Sequence, residues 1–105
     1  MNNKAYDPNG NLIMFAVAIK IDGKDWYFCR DIGYGVDRDF ILSDNPLNGG
    51  VGLRCWEDAA QGLVNWLAWK GVPREAMRIH EVEYTGDFDV RNRITVKESE
   101  LKCIS

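Results

Sequence analysis

One segment, residues 56–71, has a clearly helical hydrophobic period, and it constrains the fold more than any other part of the chain. Projected at about 100° per residue, its apolar side chains share one broad face. Gly71 follows the last periodic residue, where a residue with positive φ typically ends a helix. We therefore expect the helix to begin near Trp56 and to end before Gly71. The residues predicted on its core face are Trp56, Ala59, Ala60, Leu63, Val64, Trp66 and Leu67.

Trp69 is the large apolar residue that departs from this pattern. It falls on the opposite side of the helix, together with Asp58, Gly62 and Asn65, where a monomeric domain normally places polar side chains. An aromatic side chain on that face indicates a second surface for another molecule to cover. The alternative is that the C-terminal segment 101–104 folds over the tryptophan within the same chain.

The remaining elements are predicted to be strands. Leu12–Ile21 alternates with period two and has apolar residues on both faces, which is typical of a central strand. Asp22-Gly23 follows it and predicts a tight hairpin turn. We expect an α+β fold with one main helix packed on one face of a mostly antiparallel sheet, in the order β-β-(β)-α-β-β. The further predicted strands are 26–31, 39–43 and 78–85, and a short second helix is predicted at 73–77. The short alternating pieces 93–97 and 101–104 could pair with each other around Glu98-Ser99.

Composition sets limits on size and on partners. The 105 residues fit one domain, residues 1–105, and 46% of them are hydrophobic, which is enough for one core. The formal charge is −3, and residues 1–60 carry nine acids against six bases. Direct nucleic-acid binding is not expected, because it needs a basic surface.

The cysteines and the N-terminal segment indicate in which cellular compartment the protein is expected. Cys29, Cys55 and Cys103 are odd in number and widely spaced, which favours free thiols in a reducing compartment. The first ten residues are polar and lack the apolar core of a signal peptide. Leu12–Ile21 is too short to cross a bilayer as a helix. We therefore predict a protein of the cytoplasm of whichever cell makes it, with no membrane partner.

The glycine-rich loop 49–54 is the strongest candidate for binding a small molecule. Its backbone amides, Gly50 among them, precede a helix N-terminus, and Arg54 supplies a cation for an anionic group. A ligand-binding or transferase-like enzyme would use Arg54 as anion anchor and His80 or Glu81 as base. The acids in the first helical turn argue against a phosphate there, so this remains the alternative hypothesis. No catalytic residue, metal site or cofactor is predicted.

The bend at residues 34–39 is a second predicted contact region. Tyr34 lies between two glycines, and its local pattern argues for exposure. Asp37 and Asp39 follow it, but these acids lack the spacing of a calcium loop. We expect Tyr34, Asp37 and Asp39 to contact a partner together with the outer helix face.

Two stretches of the chain resemble small α+β proteins common in phages and mobile elements. One reads Gly-Leu-Arg-Cys-Trp-Glu-Asp-Ala at 52–59; the other combines Arg-Ile-His-Glu-Val-Glu-Tyr at 78–84 with Arg-Ile-Thr-Val-Lys-Glu-Ser-Glu-Leu at 93–101. The resemblance covers about half of the chain, and Arg54 stands where the pattern often has histidine. It implies a phage-type α+β domain and supplies no catalytic residues.

Many small acidic phage proteins act by covering a working surface on a host defence complex, and anti-CRISPR proteins are the familiar example. The expected function is therefore a non-enzymatic, phage-encoded inhibitor that binds a host protein or nucleoprotein complex, as a monomer or homodimer. A self-associating structural phage protein is a further alternative.

Overall fold

The computed structural model describes residues 5–6, 10, 12–33, 37–48, 54–84 and 93–104. Within these residues the chain forms six strands, two α-helices and two short 3₁₀ turns. The strands are β1 (Ala5–Tyr6), β2 (Leu12–Ile21), β3 (Lys24–Ile32), β4 (Asp39–Ser43), β5 (Met77–Tyr84) and β6 (Arg93–Lys97). The helices are α1 (Glu57–Trp69) and α2 (Glu98–Leu101), and the 3₁₀ turns are Pro46–Asn48 and Arg74–Ala76.

The fold is α+β, with an antiparallel sheet and one main helix. Five strands run side by side in the order β5-β2-β3-β4-β6, and the short β1 adds two residue pairs to β2. β2 is therefore central, as its period-two pattern predicts. It is joined to β3 by a two-residue turn in which Asp22 has φ 53° and Gly23 has φ 81°, the conformation that an Asp-Gly hairpin requires.

Helix α1 packs on one face of this sheet. Ala60, Leu63, Val64 and Leu67 are buried and Trp66 packs against the core, as the helical period predicts. Opposite them the sheet contributes large apolar side chains at alternate positions, since alternate residues of a strand share a face. The sheet side of the core contains Val17, Ile19, Phe28, Phe40, Leu42 and Met77.

The other face of β2 is covered by side chains of its two neighbours. Ala16 pairs with His80 of β5, and Ala18 pairs with Tyr27 of β3. The two larger side chains meet across the strand, where Tyr27 Oη lies 2.9 Å from His80 Nδ1. Both alanines are therefore buried, and their small size leaves room for this contact.

Several sequence predictions are corrected by the structure. The strand β1 precedes the predicted series, so the predicted order is matched only in part. Segment 101–104 is no strand, because α2 spans Glu98–Leu101 and β6 pairs with β4 instead. The predicted helix at 73–77 is the shorter 3₁₀ turn Arg74–Ala76. Trp56 does not join the core: it is the N-cap residue of α1 and is 40% exposed.

None of the helices in the described part of the chain is long and apolar enough to cross a membrane.

Candidate interaction surface and adjoining cleft

Trp69 is the most exposed large apolar side chain among the described residues, with 79% of its surface accessible. It belongs to a row on the outer side of α1 that also contains Asp58, Gly62 and Asn65. Successive members are three or four residues apart and therefore lie next to each other on the helix surface. All four are exposed. We call Asp58, Gly62, Asn65 and Trp69 the outer row; the structure thus confirms the exposure predicted for Trp69.

The Trp69 end of the row is supported by charged neighbours. Lys70 Nζ lies 5.7 Å from the centre of the Trp69 ring and 5.9 Å from that of Trp66. The same ammonium lies 3.1 Å from Glu98 Oε1, a carboxylate that is almost entirely buried. Because Lys70 is held by α2, its position beside the Trp69 ring is set by the fold.

The middle of the row combines a polar contact with open space. Asn65 Oδ1 accepts hydrogen bonds from Gln61 Nε2 at 3.2 Å and from Arg74 Nη1 at 3.0 Å. Gly62, one turn earlier, has no atom within 4 Å of the place where a Cβ would stand. Packing within the chain therefore does not require a glycine at this position.

The C-terminal segment lies beside α1 without covering Trp69. Ile104 packs against the core, and the Lys102 side chain runs past Gly71, where a Cβ would come within 2.7 Å of Lys102 Cγ. Gly71 has φ 110°, so it ends the helix as predicted. The alternative, in which segment 101–104 folds over the tryptophan, is wrong, since most of the ring stays exposed.

Asp37 and Asp39, two of the predicted contact residues of the 34–39 bend, have partners within the chain. Asp37 accepts hydrogen bonds from Ser99 N at 3.0 Å and from Ser99 Oγ at 3.1 Å, and so caps α2. These bonds, the backbone one first, lower the pKa of Asp37. Asp39 Oδ1 lies 2.8 Å from Lys97 Nζ, and this contact raises the pKa of Lys97. Tyr34 lies outside the described residues.

A cleft adjoins the outer row where the sheet divides. β3 pairs with β2 only from Ala18 to Ile21, and its register with β4 then shifts between Phe28 and Arg30. Further along the same edge of β2, Arg54 takes the place of β3 and exchanges two backbone hydrogen bonds with Phe15, of 2.7 and 2.8 Å. The diverging strands leave an open cleft of about 420 Å³ against α1.

The lining of the cleft is apolar on the helix side and charged on the strand side. The lining residues are Phe28, Arg30, Asp31, Arg54, Ala59, Gly62, Leu63 and Trp66. Asp31 Oδ2 lies 3.1 Å from Arg38 Nη1, so its charge is balanced. Neither Arg30 nor Arg54 forms an ion pair with another described residue. Among the residues that the structure describes, the lining therefore carries more positive than negative charge.

His80 is not brought to Arg54, although the enzyme hypothesis places them in one pocket. Arg54 pairs with Phe15 and faces the helix side of the sheet, whereas His80 pairs with Ala16 and faces the other side. His80 instead bonds to Tyr27, with Asp25 Oδ2 4.0 Å from its Nε2. Burial, with a smaller contribution from Asp25, raises the pKa of Tyr27. Gly50 lies outside the described residues.

The sequence patterns do not predict that residues of β3 line this cleft. Arg30 and Asp31 lie near the C-terminal end of β3, whose inner face is otherwise apolar, and both are distant in sequence from Arg54. The only local signal is the clustering of charge at the end of β3. The approach of Arg30 and Asp31 to α1 depends on the register shift near Cys29, and no local pattern in the sequence predicts that shift.

None of the cysteines in the described residues is joined to another by a disulfide. Cys29 is buried, which raises its pKa despite the nearby Arg93 and Arg30, while Cys103 is exposed. Within the ranges that the structure describes, no group of three or more histidine, cysteine or acidic residues is placed to hold a metal ion. No protein-family model, curated protein or solved structure that we compared matches this chain.

Proposed function

We propose that the chain is a non-enzymatic protein-binding module whose contact surface is the outer row of α1. The observation that carries this proposal is the 79% exposure of Trp69 on a helix whose other face fills the core. A tryptophan buries on the order of 200 Å², so covering most of this ring would give a gross hydrophobic free energy of about 4 kcal/mol, of which only part appears as binding affinity. Trp is also enriched at the centres of protein interfaces.

Gly62 supports the same surface. A glycine inside a helix destabilises it by roughly 0.5–1 kcal/mol relative to alanine, yet here an alanine would meet nothing. The glycine leaves a gap between Asp58 and Asn65 in which a partner backbone can approach the helix closely. Trp69 lies on one side of this gap and the acidic first turn lies on the other. The row therefore has an apolar end and an acidic end.

For the biological role, we propose a phage-encoded inhibitor that covers the working surface of a host defence protein or nucleoprotein complex. Its support is the resemblance of residues 52–59, 78–84 and 93–101 to small phage proteins, together with the acidic N-terminal half. An inhibitor that acts by occlusion needs a rigid, exposed surface. The outer row, fixed by the core on one side and by Lys70 and Glu98 at its end, meets that requirement.

Quantitative capture from a host lysate tests the contact surface. The wild-type chain, Trp69→Ala and Tyr84→Ala serve as bait, and captured proteins are measured by mass spectrometry. Tyr84 is the matched control because it is 38% exposed and lies at the end of β5. We expect Tyr84→Ala to capture one host protein as well as the wild-type chain does. Trp69→Ala should capture roughly 30-fold less of that protein, which is the size of effect expected for a hot-spot substitution.

Equal capture by all three baits would contradict the proposed surface. The inhibitor role has a separate readout, the activity of the captured complex in the presence of the purified chain. Binding through Trp69 without loss of that activity would leave the contact surface in place and overturn the inhibitor role.

A further inference from the structure

We propose that the cleft between β3 and α1 binds a small organic anion: a carboxylate or phosphate group attached to an apolar ring. This site differs from the outer row in its chemistry and in its lining residues, and the two share only Gly62. Arg54 provides the anchor for the anionic group, and the apolar residues of α1 face the ring.

The charge of the cleft selects the anionic group. Arg54 is half-buried, its backbone is fixed to Phe15 by two hydrogen bonds, and it has no carboxylate partner among the described residues. Arg30 adds a second positive charge at the rim, while Asp31, the acid among the lining residues, is already paired with Arg38. Glu57 and Asp58, the first-turn acids that argue against an anion at the helix N-terminus, are exposed and do not line the cleft. A guanidinium binds the two oxygens of a carboxylate or phosphate in parallel, which suits it to this role.

The walls of the cleft select the apolar body. Phe28, Ala59, Leu63 and Trp66 line it, and Phe28 and Trp66 hold each other edge to face with their ring centres 6.1 Å apart. A volume of about 420 Å³ lies within the usual range of small-molecule sites. One aromatic ring with an anionic substituent fits this space and both kinds of lining.

Gly62 keeps the mouth of the cleft open. It lines the cleft, and a Cβ placed on it would have no atom within 4 Å apart from its chain neighbours and the backbone of its own helix. A side chain larger than a methyl group at this position would extend over the mouth without disturbing the core. The position therefore offers a steric test that leaves both arginines in place.

The test is an NMR titration of the wild-type chain with phenyl phosphate, compared with benzyl alcohol and with inorganic phosphate. Phenyl phosphate carries both parts of the proposed ligand, and the other two probes carry one part each. We expect phenyl phosphate to bind with a dissociation constant of about 1 mM, reasonable for a ligand of this size. We expect each single-feature probe to bind at least about tenfold more weakly. The shifted signals should include the amides of Gly62 and Leu63 and the indole N–H of Trp66.

Three variants identify the groups responsible. Arg54→Gln should weaken phenyl phosphate binding by at least about tenfold, since it removes a charge-assisted hydrogen bond. Arg78→Gln is the matched control, because Arg78 is an exposed arginine of β5 outside the cleft lining. Gly62→Leu should weaken binding by obstruction, and thermal unfolding of each variant shows that it is folded. Trp69→Ala should leave phenyl phosphate binding unchanged, which separates this site from the outer row.

The proposal is overturned if phenyl phosphate gives no saturable shifts in the wild-type chain, or if the shifts map away from the cleft. It is also overturned if benzyl alcohol or inorganic phosphate binds as tightly as phenyl phosphate. Binding that Arg54→Gln and Gly62→Leu leave unchanged would contradict it equally. If Arg54→Gln does not fold, the probe comparison, the signal map and Gly62→Leu still decide the outcome.

Discussion

Lys70 and Glu98 join the two helices by an ion pair of 3.1 Å whose carboxylate is almost wholly buried. The pair lies at the C-terminal end of α1, where a cation is favoured by the helix dipole. Lys70 also stands beside the Trp69 ring at 5.7 Å. This contact thus helps to hold the short C-terminal helix on the fold and also supports the exposed tryptophan that carries the proposed function.

Glu98→Gln should destabilise the chain by about 2–3 kcal/mol, because it leaves Lys70 without its partner in a largely buried position. Urea unfolding measures this free energy. Lys70→Met combined with Glu98→Gln should cost less than the sum of the two single changes, since the unpaired charge is gone. A loss below about 0.5 kcal/mol for Glu98→Gln would mean that the pair behaves as a solvent-exposed one.

Asp37→Asn should lower the melting temperature at neutral pH, since it weakens the cap on α2 made by both carboxylate oxygens. The pKa of Asp37 is lowered in the folded chain, chiefly by the Ser99 backbone N–H. Its contribution to stability is therefore present above about pH 4 and is lost as the pH falls through the folded pKa. The melting difference between wild type and Asp37→Asn should shrink over that acidic range; a difference independent of pH would contradict the cap.

Gly62→Ala and Gly71→Ala should have opposite effects on stability. Alanine at 62 meets no atom within 4 Å and should stabilise the chain by about 0.5–1 kcal/mol. Alanine at 71 must adopt φ 110° next to Lys102, and should destabilise it by about 1–2 kcal/mol. Thermal and urea unfolding of the two variants measure both signs, and a stabilised Gly71→Ala would show that this helix end is assigned wrongly.

Tyr27→Phe should destabilise the fold by about 1 kcal/mol, because it leaves His80 Nδ1 without its 2.9 Å partner. Burial, and then Asp25, raise the pKa of Tyr27 in the folded state. The folded chain therefore holds this proton more strongly, and stability should fall as the pH rises above about 10. In Tyr27→Phe that alkaline loss should be smaller; an identical pH profile would rule out the Tyr27 contribution.

Features set by residues close in sequence are the ones that the sequence predicts well. The alternation of Leu12–Ile21 places it at the centre of the sheet, and Asp22-Gly23 sets the hairpin. The helical period places Leu63 and Leu67 in the core and Trp69 outside it. Trp56 departs from the pattern because it stands at the N-cap with extended backbone, where the helical projection no longer applies.

Features that depend on distant contacts escape local patterns. Segment 101–104 alternates like a strand, yet Asp37 caps the preceding turn from across the fold and α2 forms there instead. The cleft arises because Arg54 pairs with Phe15 along an edge that β3 has left. Arg54 itself is predicted as an anion anchor from the loop composition, but its neighbours Arg30 and Asp31 become visible only in three dimensions.

Site-specific photo-crosslinking from position 69 in host cells tests the central claim most directly. A photoreactive residue is placed at position 69 in one variant and, as control, at position 84 in another. The crosslinked products show which molecule lies against each surface. We predict one host protein crosslinked from position 69 and absent from position 84. No crosslink from position 69, the same products from both positions, or a product containing only two copies of this chain would contradict a host-binding surface on α1.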